Sequence, residues 1–278
     1  MNTLEFSLLV CAVSALAGFL GSLTGLGGGV IITPVLTLLL GVDLRYAIGA
    51  TLVSVIATSS GAAAAYVREG FSNIRVGMFL EIATTIGAVV GAALATRTPA
   101  SALAVIFGLI LLYSAAESLG RQTDHAHPAG CDPLADKLRL NSTYPTADGP
   151  KAYGVCRVKT GFGLMFGAGM LSGLLGIGSG AVKVLAMDRA MGMPFKVPTT
   201  TSNFMIGVTA AASAGVYLNR GYIAPGLAMP VMLGVLAGSM LGARQLMGAR
   251  VRVLRVVFGC VVAALAIEMI YSGFSGRI

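Results

Sequence analysis

Apolar residues run through this chain in long, nearly unbroken blocks, without the one-sided spacing of a helix lying on a soluble core. Most blocks have ~17–22 residues, enough to cross the hydrocarbon of a bilayer as a helix. They cover about 4–24, 44–67, 73–96 and 99–119, and then 160–175, 197–218, 223–243 and 253–272. Two further blocks, 30–40 and 181–191, are shorter. As helices they reach only ~16 Å, half the hydrocarbon thickness. Each short block follows a glycine-rich break, Gly25, Gly27, Gly28 and Gly29 in one case and Gly176, Gly178, Ser179 and Gly180 in the other. Residues 120–159 form the one long polar stretch.

A shift of 151 residues, the distance from Gly25 to Gly176, lays the second part of the chain over the first without a gap. Gly27 and Gly29 then fall on Gly178 and Gly180, Gly41 on Gly192, and Tyr66 and Gly70 on Tyr217 and Gly221. Gly87, Gly91 and Ala92 fall on Gly238, Gly242 and Ala243, and Phe107, Gly108 and Glu117 fall on Phe258, Gly259 and Glu268. The chain therefore reads as two copies of one unit. Residues 1–119 form a first membrane repeat, 120–159 a linker and 160–278 a second repeat. Gly87-xxx-Gly91 and Gly238-xxx-Gly242 are spacings that let helices approach closely.

The short second arm suggests a hairpin that enters the membrane, turns near its midplane and leaves on the side it entered. Charge tests this. With a hairpin and three crossings per half, the halves are inverted, and Lys and Arg from Arg68 and Arg75 through the linker to Arg255 collect on one side. The other side keeps Arg45, Arg97, Arg220 and Arg277. Four crossings per half would split the same charges almost evenly. Positive residues concentrate in the cytoplasm, so the inverted arrangement is expected, with a cytoplasmic linker and both termini outside. Two full spans in place of each hairpin would give the same sidedness. The expected fold is an all-α polytopic membrane protein of two inverted repeats, each a Gly-broken hairpin plus three transmembrane helices.

Composition narrows the class. The chain is 56% hydrophobic and 11% charged, where a soluble domain carries about 25% charge. The net charge of +8 fits loops facing cytoplasm and anionic lipid better than nucleic acid. The N-terminus has no Lys or Arg before its apolar run, so cleavage as a signal peptide is not expected. Cys11 and Cys260 lie in apolar blocks. Cys131 and Cys156 lie in the linker, where a cytoplasmic location argues against a disulfide. Lys137–Tyr144 and Ala152–Lys159, around Pro145, Asp148, Gly149 and Pro150, are expected to pair as a small hairpin. His125, His127, Cys131 and Cys156 match no zinc spacing, so a solvated linker is expected and neither a metal nor a cofactor.

The candidate chemistry sits at the breaks. Backbone opened within a membrane is tolerated where it lines a cavity or is buried in protein. A helix starting there offers unpaired N–H groups and partial positive charge, and glycine lets the backbone approach a ligand. Gly25, Gly27, Gly28, Gly29, Gly176, Gly178, Ser179 and Gly180 are therefore candidates for binding a small anion, although glycines also serve tight helix packing. Lys183 either contacts that anion or snorkels to the surface. Thr201, Ser202 and Asn203, at the start of a span, either line a polar cavity or cap the helix. The matching first-half stretch around Thr51 is less polar, so the site should be asymmetric. Glu81, an acid well inside a span, either carries a proton or hydrogen-bonds within the bundle.

LTGLGGGVIITP at 23–34, LLGIGSGAVKVLAM at 174–187 and TTTSNFMIGVTAAASA at 199–214 resemble the repeats of the TauE/SafE sulfite exporter family. The resemblance covers both halves and the linker. The chain departs from the family pattern at Ser179, where Gly is common, and at Leu185, where Pro is common. The resemblance implies movement of sulfite, sulfonates or related small organosulfur anions across a bacterial inner membrane, coupled to protons. The alternatives are a carboxylate or other organic-anion carrier, an intramembrane enzyme, or a non-transporting scaffold. An enzyme is disfavoured because both His residues lie in the linker, and a scaffold would have no use for Lys183. The expected partners are the small anion and membrane lipid, with a homodimer left open and nucleic acid excluded.

Overall fold

The computed structural model describes residues 3–24, 29–68, 72–119, 131–146, 149–194, 196–246 and 251–276. The long apolar blocks are helices: α1 (Thr3–Thr24), α3 (Leu44–Arg68), α4 (Ile74–Ala95), α5 (Ala100–Leu119), α7 (Val158–Leu175), α9 (Lys196–Asn219), α10 (Pro225–Leu246) and α11 (Val251–Ser275). The short blocks are α2 (Gly29–Leu38) and α8 (Gly180–Leu185), the latter running on into a π-helical turn, Ala186–Ala190. Gly41 and Gly192, which coincide under the shift of 151, both follow a short arm with positive φ, +64° and +67°. Only a residue without Cβ adopts that conformation freely.

The helices do not pack in chain order. α1 lies along α10, α7 along α4, α3 along α9 and α5 along α11. Under the shift, α1 corresponds to α7 and α4 to α10, so each unit lays its first helix against the other unit. Glycine allows these pairs to approach. A Cβ at Gly87 or Gly91 would strike the backbone of Phe166 or Met170 on α7, and one at Gly238 would strike Ala15 on α1. Helix backbones in this kind of contact are held by close van der Waals packing.

The outer surface is apolar. Along α4, Val76, Leu80 and Ala83 are buried, while Met78, Ile82 and Ile86 are 62%, 56% and 53% exposed. Leu16, Leu109, Leu233 and Ile267 are exposed on other helices. A soluble monomer rarely shows contiguous apolar faces of this extent; lipid is the solvent that suits them. By length and composition, Ile74–Ala95 and Val158–Leu175 are the two described helices able to cross a membrane, and the remaining apolar stretches within helices are shorter.

The linker is a small module of its own, with α6 (Pro133–Lys137) followed by an antiparallel pair, β1 (Ser142–Thr146) and β2 (Gly149–Tyr153). The strands lie further in than Lys137–Tyr144 and Ala152–Lys159, and Pro145 stands opposite Pro150. Each strand of a two-stranded pair has an open edge, where a residue lacking N–H is tolerated. Lys137 belongs to α6 instead.

The expectation of unpaired linker thiols is overturned, because Cys131 and Cys156 form a disulfide, Cα to Cα 5.2 Å. The cause is Asp132. Its Oδ1 accepts from Leu134 N at the start of α6 and its Oδ2 from Val158 N at the start of α7. Capping two helix starts with one carboxylate draws the residues just ahead of them side by side. Those N–H groups, Val158 first, hold the Asp132 carboxyl below its ordinary range.

Candidate functional site

At the second break the chain turns through three left-handed residues. Gly176 (φ +70°) ends α7, its N–H bonded to Ser172 O, and Gly178 (φ +72°) and Ser179 (φ +45°) lead into α8. For Ser179 this conformation costs on the order of 1–3 kcal/mol. Ser179 is 3% exposed, and its buried hydroxyl has no hydrogen-bond partner among the described residues. A strained residue with an idle buried polar atom is a reason to suspect a ligand site. Cβ atoms at Gly178 or Gly180 would press on Ile206 of α9, and one at Gly176 on Ile48 of α3.

Of the first break, Gly25, Gly27 and Gly28 lie outside the described residues. Gly29 is buried, and a Cβ on it would sit 3.8 Å from Gly176 O, so the two breaks are neighbours. Thr51 is fully buried nearby, accepting from Thr33 Oγ1 at 2.9 Å and donating to Ala47 O at 2.8 Å.

One turn into α8, Lys183 is 0% exposed. It does not snorkel. Its Nζ donates to Thr209 Oγ1 of α9 at 2.6 Å, and Thr209 Oγ1 lies 2.7 Å from Glu81 Oε1 of α4. Thr85 also donates to Glu81 Oε1, at 3.3 Å, while Glu81 Oε2 is buried without a partner among the described residues. A lysine and a carboxylate, one from each repeat, thus face each other across a single hydroxyl. Under the shift the same places hold Ile32, Thr58 and Met232, so the symmetry-related arrangement carries no charge.

The hydroxyl cluster at the start of α9 is arranged differently from Lys183. Ser202 and Asn203 donate to Thr199 O of their own helix, and Thr201 Oγ1 accepts from Asn73 N. The partner of Lys183 comes from Thr209, two turns further on. Thr209 was not among the sequence candidates. Its signals were present: it falls on Thr58 under the shift, and it lies seven places after Ser202, on the same helix face.

On the linker side, Asn73 Nδ2 donates to Tyr153 Oη at 2.7 Å and to Leu140 O at 2.9 Å. Burial pushes the Tyr153 hydroxyl up to about 12. His125 and His127 lie outside the described residues, and among those described no cluster of metal ligands is found.

Residues 10–269 match the family model described as sulfite exporter TauE/SafE. The chain belongs to the TauE/SafE family. The chain is similar to "Probable membrane transporter protein YunE" of Bacillus subtilis (strain 168), 27% identical over 97% of this chain and 99% of that one. A second, YdhB of the same organism, is 26% identical over 85% of this chain and 89% of that one. A third, from Sinorhizobium and also named as a membrane transporter, is 24% identical over 97% and 95%. No solved structure matches the chain. This TauE/SafE chain is a membrane transporter and not an enzyme.

Proposed function

We propose that the chain is a secondary carrier of small anions in a bacterial inner membrane, exporting sulfite or an organosulfonate in step with protons. One observation carries the reading: Lys183 is buried completely, with Thr209 as its described partner. A lysine out of water costs several kcal/mol unless something compensates it. An ammonium has three donors, and an incoming anion supplies both the charge and the acceptors that Thr209 leaves unmet. Ser179 Oγ adds an idle hydroxyl one turn away on the same arm. Glu81 carries the proton, since a carboxyl is the group there that changes charge by taking one. The family description supplies the sulfur oxyanion. Inverted repeats fit this use, because the two breaks adjoin while each half offers its own route to the site.

The test is flux in proteoliposomes with sulfite, thiosulfate, taurine, sulfoacetate and acetate. Saturable movement of sulfite or a sulfonate, not competed by acetate, is expected. Preference for acetate would shift the reading to a carboxylate carrier, and no flux of any member would sink it.

A further inference from the structure

Thr209 is placed to do more than hold Lys183. Its hydroxyl has one hydrogen and two acceptors in reach, Glu81 Oε1 at 2.7 Å and Met205 O at 2.8 Å, while Lys183 Nζ donates to it at 2.6 Å. A hydroxyl donates once, so the two acceptors compete. An ionised Glu81 wins, because a bond to a charged acceptor is about twice as strong as one to a carbonyl. Once Glu81 is protonated that advantage is gone, and the Thr209 hydrogen turns to Met205 O.

We infer that Thr209 makes proton and anion binding one event, so that the carrier moves one proton with each monovalent anion and no net charge; export then runs on the anion's own outward gradient, which has to exceed the inward pH gradient. The inference rests on the carrier reading above. With the site empty, Glu81 is ionised and balances Lys183 through Thr209. With the site loaded, Glu81 is protonated and the anion balances Lys183. Both states are neutral, which a buried site of low dielectric favours strongly over a charged one. A dianion would leave a surplus negative charge, so hydrogensulfite or a sulfonate is the species bound and sulfate is excluded.

The charged groups around Glu81 are consistent with this. Helices α7 and α9 pack on α4. They carry Lys159, Lys196 and Tyr217; the π-helical turn carries Asp188 and Arg189; α4 itself carries Arg75. Of these and Lys183, it is Lys183 that reaches Glu81 through the shared Thr209 hydroxyl. The symmetry-related residues Ile32, Thr58 and Met232 carry no charge, so the described residues offer one such unit per chain.

The experiment uses purified full-length protein in proteoliposomes with methanesulfonate, a fixed monoanion, and sulfate as the dianion. Wild type should accumulate methanesulfonate about tenfold per unit of pH gradient, the ratio for one proton per anion. A potassium diffusion potential should leave that ratio unchanged, and sulfate should not move. Glu81→Gln and Thr209→Val should lose the accumulation driven by the pH gradient, and Thr209→Ser should regain it. Flux that follows the membrane potential, or accumulation retained in Thr209→Val, overturns the inference. Because the proton count is read on wild type, a variant that fails to fold does not block the test. Absence of flux for every anion would instead remove the carrier reading itself.

Discussion

The backbone N–H of Asn73 donates to Thr201 Oγ1 at 3.0 Å, joining α4 of the first repeat to α9 of the second across 128 positions of sequence. The bond between Thr209 and Glu81 spans the same 128 positions, about two turns deeper along both helices. The two bonds are rungs between the repeats. The outer rung touches the linker through Tyr153 and Leu140, and the inner one holds Lys183.

Lys183→Met keeps most of the stem's volume and removes the charge. Loss of one charge-assisted contact is worth roughly 1.5–3 kcal/mol, so anion affinity should fall about tenfold to a hundredfold. Lys183→Arg should retain more binding, since charge matters more than shape for a small oxyanion. Binding to purified protein, measured beside melting, checks both; wild-type affinity in Lys183→Met would take Lys183 out of the site.

Gly178 sits at φ +72°, and a Cβ there would lie 2.8 Å from Ile206 Cγ2. Gly178→Val should abolish flux in protein that still inserts, because a branched residue resists that backbone and pushes on α9. Transport at the wild-type rate would reduce the break to a packing feature.

The side of the membrane on which each segment lies can be read with reporter fusions. Fusions after Ser118 and after Gly248 should report cytoplasm, and one at the C-terminus should report the periplasm. A cytoplasmic C-terminus would end the inverted-repeat argument, which rests on the distribution of Lys and Arg.

Tyr153→Phe removes one of the two acceptors of Asn73 Nδ2 in a buried setting. A stranded buried donor costs about 1–3 kcal/mol, so the melting temperature should drop and the linker should become easier to cleave by protease. An unchanged melting curve would mean that the linker does not depend on this contact.

Thiol labelling in intact cells, with and without prior reduction, tests the compartment as well as the bond. A closed Cys131–Cys156 bridge in growing cells would place the linker in an oxidising compartment and contradict its cytoplasmic assignment. Thiols that label without prior reduction would mean that the Cys131–Cys156 bond is open in cells, against the structure and in line with the charge pattern of the linker.

Much of the helical framework was legible in the sequence, because a membrane helix announces itself by an unbroken apolar run; Leu44–Arg68 and Ile74–Ala95 fall within a residue of the expected limits. Gly41 and Gly192, matched in sequence only as a pair under the shift, turn out to stand just past the short arms. The partner of Lys183 was not legible in the same way. A single threonine in an apolar helix leaves no periodic trace, and its meaning comes from α4 lying across it. The exchange of α1 and α7 between the repeats was hidden for the same reason, since long-range pairing leaves no local signal. The disulfide escaped because it follows from one aspartate capping two helices at once, a matter of geometry and not of cysteine spacing.

That aspartate has a consequence for the working cycle. The hydrogen bonds from Val158 and Leu134 hold the Asp132 carboxyl below its ordinary value of 3.8. A group depressed in this way contributes stability above its unfolded value and loses it only as the pH falls through the lowered one. Near neutrality Asp132 therefore stays ionised whatever proton gradient the membrane carries. The strap that joins the repeats is latched by a carboxylate deaf to the protons that Glu81 would exchange, so fastening and transport run on separate acids.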